Sequence, residues 1–176
     1  YLSVELPMNS QKGVTLIELM IAVGILAIVV AIAVPNFQSM IQNNRLTSAA
    51  NEMLGVFQVA RSEAIRANRR VSLAFNATPD ITADEAHIVV FVDSDRDGTE
   101  DAGERVRSLL LSSDSLALAA VDGGGTAMTQ VGFLPDGRTV NSATMTASVC
   151  DDRNRGQQLV LRASGQSRLT GAITCP

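Results

Sequence analysis

Twelve consecutive residues, Asp93-Ser94-Asp95-Arg96-Asp97-Gly98-Thr99-Glu100-Asp101-Ala102-Gly103-Glu104, satisfy the pattern D-x-D-x-D-G-x5-E at every position. That spacing sets hard oxygen ligands around a calcium ion: side chains of Asp93, Asp95, Asp97 and Glu104, the Thr99 carbonyl, and Asp101 through water, with Gly98 permitting the sharp turn. The flanks, Ile88-Val-Val-Phe-Val92 and Arg105-Val-Arg-Ser-Leu-Leu-Leu111, read as strands and not as the helices of an EF-hand. A solvated acidic hairpin tip therefore stands beside calcium as the second reading of the same residues. Residues 80–104 hold nine acids against one base, and the rest of the chain reverses the balance with nine acids and thirteen bases.

From residue 138 onward Arg138, Arg153, Arg155, Arg162 and Arg168 are opposed only by Asp151 and Asp152. Gathered by folding, they would contact phosphates; scattered along strand faces, they are ordinary solvated charges. Catalysis has no comparable set. The sole imidazole, His87, sits in an apolar strand pattern, and neither G-x-S-x-G nor a phosphate-binding loop is present, so the chain reads as a non-enzyme. Cys150 and Cys175 form no C-x-x-C pair, which argues against zinc; joined, they close a loop of about 26 residues worth roughly 3 kcal/mol.

These residues need elements to hold them. Short β segments at 71–75, 87–92, 105–111, 116–121, 129–134, 144–149, 158–163 and 169–174, parted by turn residues, predict one antiparallel sheet or two. Val121-Asp-Gly-Gly-Gly-Thr126 and Pro135-Asp-Gly-Arg138 supply turn chemistry. Over 39–70 the period becomes helical, with Leu46, Ala50, Met53, Phe57, Ala60 and Ala64 on one stripe, Leu54 and Ile65 widening it, and Asn44, Glu52, Arg61, Glu63, Arg66 and Arg69 on the flanks. That stripe predicts a helix lying on a sheet.

The whole chain has 176 residues, net charge −4, 46% hydrophobic and 18% charged residues, so it holds one modest domain and an appended element. The apolar excess lies at the N-terminal end. After Glu18 come nineteen apolar-dominated residues from Leu19 to Phe37, and no further charge appears before Arg45. That length spans a bilayer. A carboxylate at the edge of such a run costs a few kcal/mol unless it snorkels to the interface or meets a positive partner. Pro35 and Gly24 would kink and loosen the helix, although a proline is also an ordinary resident of membrane helices.

Gly13-Val-Thr-Leu-Ile-Glu18, the apolar run and Ala33-Val-Pro-Asn-Phe37 together resemble the class III signal of type IV pilins. The resemblance implies that a prepilin peptidase cuts between Gly13 and Val14 and methylates the new amine, and that Glu18 guides insertion by meeting that amine on a neighbouring subunit. Val14 stands where the family usually has Phe. A start at Met8 would give the short leader Met-Asn-Ser-Gln-Lys-Gly and leave residues 1–7 as an upstream remnant. The implied organisation is a leader at 1–13, a transmembrane or filament-core half-helix at 14–38 and a periplasmic head at 39–176 that includes the amphipathic helix 39–70.

Ala60-Arg-Ser-Glu-Ala-Ile-Arg66 followed by Val71-Ser-Leu-Ala-Phe75 is similar to the helix end and first strand of the minor pilins and pseudopilins of the FimU/FimT/GspH group. The implied fold is α+β, the type IV pilin fold, with a long N-terminal helix packed on antiparallel sheets. The implied role is a minor pilin of a type IV pilus tip or priming complex. Its partners would be other minor and major pilins, prepilin peptidase and the inner-membrane assembly platform. The chain would cross the inner membrane once, with its head in the periplasm, where a Cys150–Cys175 disulfide is permitted. Ser148-Val-Cys-Asp-Asp-Arg153, Leu159-Val-Leu-Arg162 and Ser164-Gly-Gln-Ser-Arg168 resemble the C-terminal half of FimT-type pilins, some of which bind DNA. Of their Gly-Arg-x-Arg element this chain keeps Gly165 and Arg168 and replaces the first arginine by Gln166, so Arg153, Arg155, Arg162 and Arg168 are the candidate DNA contacts. The Pro-Asn-Phe ending favours a pilus over a type II secretion pseudopilus.

Overall fold

The computed structural model describes residues 13–75, 88–95, 98–101, 103–109 and 116–175. Met8, Lys12, His87, Asp97 and the expected strand residues 110–111 lie outside them. The elements are α1 (Leu16–Ala67), β1 (Val71–Phe75), β2 (Ile88–Val92), β3 (Arg105–Leu109), β4 (Ala117–Asp122), β5 (Gln130–Phe133), a single 3-10 turn (Val140–Ser142), β6 (Met145–Cys150), β7 (Arg155–Leu161) and β8 (Ser167–Thr174). All strand pairs are antiparallel, in two four-stranded sheets of order β3-β2-β1-β5 and β4-β6-β7-β8.

Contacts divide the chain into a first unit ending at Gln42 and a second running from Asn43 to Pro176. Within the second unit, α1 buries Leu46, Ala49, Ala50, Met53, Val56, Phe57, Ala60 and Ala64. All six residues of the expected stripe are among them; Leu54 is partly buried and Ile65 is exposed. These side chains merge with Leu73, Val90, Val131 and Phe133 of one sheet and Leu118, Met145, Ala147, Leu159 and Leu161 of the other into one core. Phe57 stacks on Phe75 with ring centroids 6.0 Å apart, so the helix is fastened directly to β1. Small residues at Ala49, Ala50, Ala60 and Ala64 let backbone approach backbone where two sheets crowd one helix.

Two strand starts differ from the periodicity by more than one residue. β7 begins at Arg155, three residues before the expected 158, because the β6–β7 turn closes on Asp151, whose amide donates to the Arg155 carbonyl at 2.8 Å. A bulge at Gln158/Leu159 then shifts the alternation, so that Gly156, Leu159 and Leu161 all face inward. β8 begins at Ser167 and not 169, since the turn after β7 closes with the Gly165 amide donating to Arg162 O at 2.8 Å and the Gln166 carbonyl accepting from Arg162 N at 3.0 Å.

One junction joins helix and both sheets. Arg61 Nε donates to the Gly137 carbonyl at 2.9 Å, in the turn after β5, and the tip of the β7–β8 hairpin lies on that same carbonyl at Gly165. Gly165 sits at φ +77°, and a Cβ there would come within 1.8 Å of Gly137 O, a backbone atom that cannot step aside. Left-handed strain and the clash add, so Gly165→Ala should lower unfolding stability by about 2–4 kcal/mol. Thermal unfolding of the full chain in detergent checks this, and a loss under about 1 kcal/mol would contradict the junction.

Candidate assembly site

Helix α1 starts with a cap that the sequence analysis did not single out. Thr15 Oγ1 accepts from the Glu18 amide at 3.3 Å, the bond expected of T-x-x-E at a helix N-terminus. The signal was legible in Thr15-Leu-Ile-Glu18, hidden by attention to Glu18 alone. The cap fixes Glu18 in the first turn, where unpaired amides favour negative charge.

Beyond Glu18 the helix has nothing to hide behind. Val14, Leu16, Ile17, Leu19, Met20 and Ile21 are all exposed, with Val14 at 69%, and the most apolar stretch of α1 has mean hydropathy 2.9 with none of it buried. By length and composition α1 can cross a membrane. A helix so apolar around its whole circumference must be covered by lipid or by other chains. α1 runs unbroken through Gly24 and Pro35. Around the proline, side chains supply extra bonds: Asn36 Nδ2 donates to Ile32 O at 3.0 Å and Ser39 Oγ to Asn36 O at 2.9 Å. These bonds add to the helix ladder; the carbonyl that Pro35 leaves without its amide donor is that of Ala31.

At the start of the second unit, Cys150 and Cys175 are bonded, and the Cys175 amide donates to Asn154 O at 2.9 Å. The bond ties the end of β8 to the end of β6. Next to it, Asp151 Oδ1 accepts from the amides of Arg153 and Arg155, both at 3.0 Å, while Oδ2 takes Arg153 Nε and Nη2 at 2.9 and 2.6 Å. Arg153 Nη2 also donates to Asn43 Oδ1 at 2.9 Å, which carries the turn onto the helix. Burial pushes the Asp151 carboxyl up, but the guanidinium of Arg153 and the two amides outweigh it and hold the group below the ordinary carboxylate range.

The four candidate arginines for DNA are not gathered into one patch. Arg153 is committed to Asp151 and Asn43, and Arg155 opens β7 at the end opposite Arg162. Arg138, counted with them by sequence, pairs with Asp136 at 2.7 Å. Arg162 and Arg168 do converge: with Val160, Gln166 and Thr170 they line a groove of about 220 Å³ on the outer face of β7 and β8.

The acidic loop between β2 and β3 uses its carboxylates internally. Glu104 accepts from the amides of Ser94 at 2.9 Å and Asp101 at 3.3 Å, and Asp93 Oδ1 faces the Gly98 amide at 3.5 Å. Asp93 turns inward, 2% exposed, toward Arg70. Asp95, Thr99 and Asp101 have partners of their own. Among the described residues no three His, Cys, Asp or Glu side chains gather as a metal ion requires, and Asp97 is outside that set.

An exposed apolar helix leading into an α+β head of two antiparallel sheets is the architecture of the type IV pilin fold. Solved structures agree: the type IV minor pilin FimU of Pseudomonas aeruginosa superposes with a TM-score of 0.52 at 21% identity, over 77% of this chain and 98% of that one. The minor pseudopilin EpsH of the Vibrio cholerae type II secretion system gives 0.54 at 13% identity, over 73% and 97%. The chain belongs to the GspH family: the model described as "Type II transport protein GspH" matches residues 49–166, and the prokaryotic N-terminal methylation motif matches residues 8–34. Among relatives, a fimbrial protein of Pseudomonas aeruginosa is 40% identical over 72 residues, 41% of this chain and 45% of its own length. The chain thus spans less than half of that relative. The pilin-like protein PilA1 of Thermus thermophilus is 27% identical over 91% of this chain and 99% of its own. The chain is therefore a pilin-like protein of the GspH family, with a disulfide and an apolar N-terminal helix.

The depressed Asp151 carboxyl links stability to pH. A carboxylate whose folded value lies below its unfolded one stabilises fully above the unfolded value, near 3.9, and the contribution fades as pH falls through the folded one. The stability advantage of the natural chain over Asp151→Asn should therefore shrink as pH drops from about 5 to about 2, measured by urea unfolding at each pH. An advantage constant over that window would contradict the assigned role.

Proposed function

We propose that the chain is a minor pilin of a bacterial type IV pilus, cut by prepilin peptidase between Gly13 and Val14 and incorporated with other pilins in a tip or priming complex. The observation that carries this reading is the isolated carboxylate of Glu18 at the head of an uncovered apolar helix. In hydrocarbon that charge demands a positive partner, and the amine freed at Val14 of an adjacent subunit is one that processing would supply. Pro35 marks the place where the helix can stretch as subunits pack. A filament subunit needs no catalytic constellation, so the proposed role is not enzymatic. The inner membrane before assembly and the fibre after it are the matching locations, with the peptidase and an assembly platform as transient partners.

The alternative within the family is a pseudopilin of type II secretion; the fimbrial relatives and the Ala33–Phe37 ending favour the pilus. DNA uptake is a second reading, favoured by the groove that brings Arg162 and Arg168 together. Calcium held by the 93–104 loop is compatible with either role, the ion replacing the contacts that Glu104 makes with the Ser94 and Asp101 amides.

Glu18→Ala in the host should leave membrane retention intact while lowering the amount of the chain in sheared filaments about tenfold, read by immunoblot of filament and membrane fractions. Normal incorporation of the variant would contradict the proposal. In the same preparation, a DNA mobility shift that weakens with salt and vanishes in the Arg162→Gln, Arg168→Gln double variant would move the reading to DNA uptake.

A further inference from the structure

Where α1 ends, three polar atoms are buried without hydrogen-bond partners among the described residues: Arg70 Nε, Ser72 Oγ and Asp93 Oδ2. Ser72 is fully buried and Asp93 is 2% exposed, so these atoms do not face bulk solvent. Arg70 Nε lies 3.4 Å from Asp93 Oδ2, close enough for charge pairing and not aligned as a hydrogen bond. Buried polar groups are nearly always satisfied, so each of the three calls for a partner, be it an ordered water or a ligand.

Space for one adjoins them. A cavity of about 490 Å³ is lined by Arg69, Arg70, Asp93, Leu134, Pro135 and Val140, among others. Gly132 of β5 packs against the same cluster: a Cβ there would crowd Arg70 Nε at 3.2 Å, Ser72 Oγ at 3.5 Å and Val140 Cγ2 at 2.9 Å. Val140 opens a turn in which both Asn141 and Ser142 are held at positive φ, +56° and +54°. Non-glycine residues in that region are strained, and such strain collects at ligand clamps.

The lining specifies the ligand's chemistry. Two guanidiniums, Arg69 and Arg70, oppose one carboxylate, Asp93, leaving one positive charge in excess. A single carboxylate would neutralise the cluster and accept from the guanidiniums of Arg69 and Arg70. Leu134, Pro135 and Val140 would cover a short aliphatic stem behind it. We propose that this cavity receives an acidic side chain, Asp or Glu, from a neighbouring pilin subunit, which deepens the assembly role and rests on it. The pocket would then read one charged residue of the partner and set which subunit sits beside this head.

The test is a titration of the full chain in detergent micelles with N-acetylglutamate α-amide, followed by NMR at the Arg70 Nε–H and at the amides of Gly132 and Val140. Saturable shifts at those groups, with a dissociation constant of about 1 mM, are expected for one small carboxylate. The neutral N-acetylglutamine α-amide should cause none, and Arg69→Gln should weaken binding about fivefold or more. Absence of saturable shifts, equal shifts from the neutral amide, or tighter binding of inorganic phosphate would each overturn the carboxylate assignment. In the host, Arg69→Gln should reduce incorporation into filaments; incorporation equal to the natural chain would overturn the partner assignment. If the natural chain itself never enters filaments, the assembly role falls and the partner with it, while the titration still judges the pocket.

Discussion

An apolar helix with no cover is the constraint on which everything else in this protein depends. From Val14 to Ile41 nearly every large side chain of α1 is exposed, and the only charge at its head is Glu18. Hydrocarbon of that extent cannot stay in water, and the backbone can enter lipid only because the helix satisfies its own hydrogen bonds. Thr15 completes that satisfaction at the first turn, and Asn36 and Ser39 reinforce it around Pro35. In the proposed assembly lipid would cover such a surface first and like helices afterwards, so moving between the two would cost little in apolar burial. What changes is the environment of Glu18, which makes that carboxylate the natural control point of the proposed assembly.

The head answers a different demand: it must be stiff enough to hold whatever surface its neighbours read. The second part of α1 spends one stripe on both sheets, and the Arg61–Gly137–Gly165 junction locks the two sheets' turns to the helix. At the other end, the Cys150–Cys175 bond and the Asp151–Arg153–Asn43 chain fasten the last strands where the head begins. Arg153 is thereby a structural residue. The Arg70–Asp93 cluster is the exception to this thrift, since its polar atoms are buried without hydrogen-bond partners among the described residues.

Much of this was legible because periodicity reports burial. The stripe from Leu46 to Ala64 is buried as its spacing predicts, and each described strand overlaps an expected one. Boundaries failed where turn chemistry competed: Asp151 pulls Arg155 into β7, and Gly156 with its polar neighbours looks nothing like strand. The arginines show the harder limit. Spacing along the chain cannot tell that Arg162 and Arg168 meet across a hairpin while Arg153 is taken by Asp151. Nor does D-x-D-x-D-G reveal that its first carboxylate turns inward to Arg70, a residue more than twenty positions earlier. Thr15 was readable and overlooked, a cap one turn ahead of the conspicuous glutamate.

The central claim is that the chain is a processed filament subunit, and the intact mass of the protein from host membranes, with and without an active prepilin peptidase, tests it most directly. The account predicts a mature chain beginning at Val14, one methyl heavier, and lighter by two hydrogens for the disulfide, that appears only when the peptidase is active. A mass that retains Gly13 and the residues before it while the peptidase works would contradict the account. It would leave a membrane protein with a pilin fold and no route into a filament.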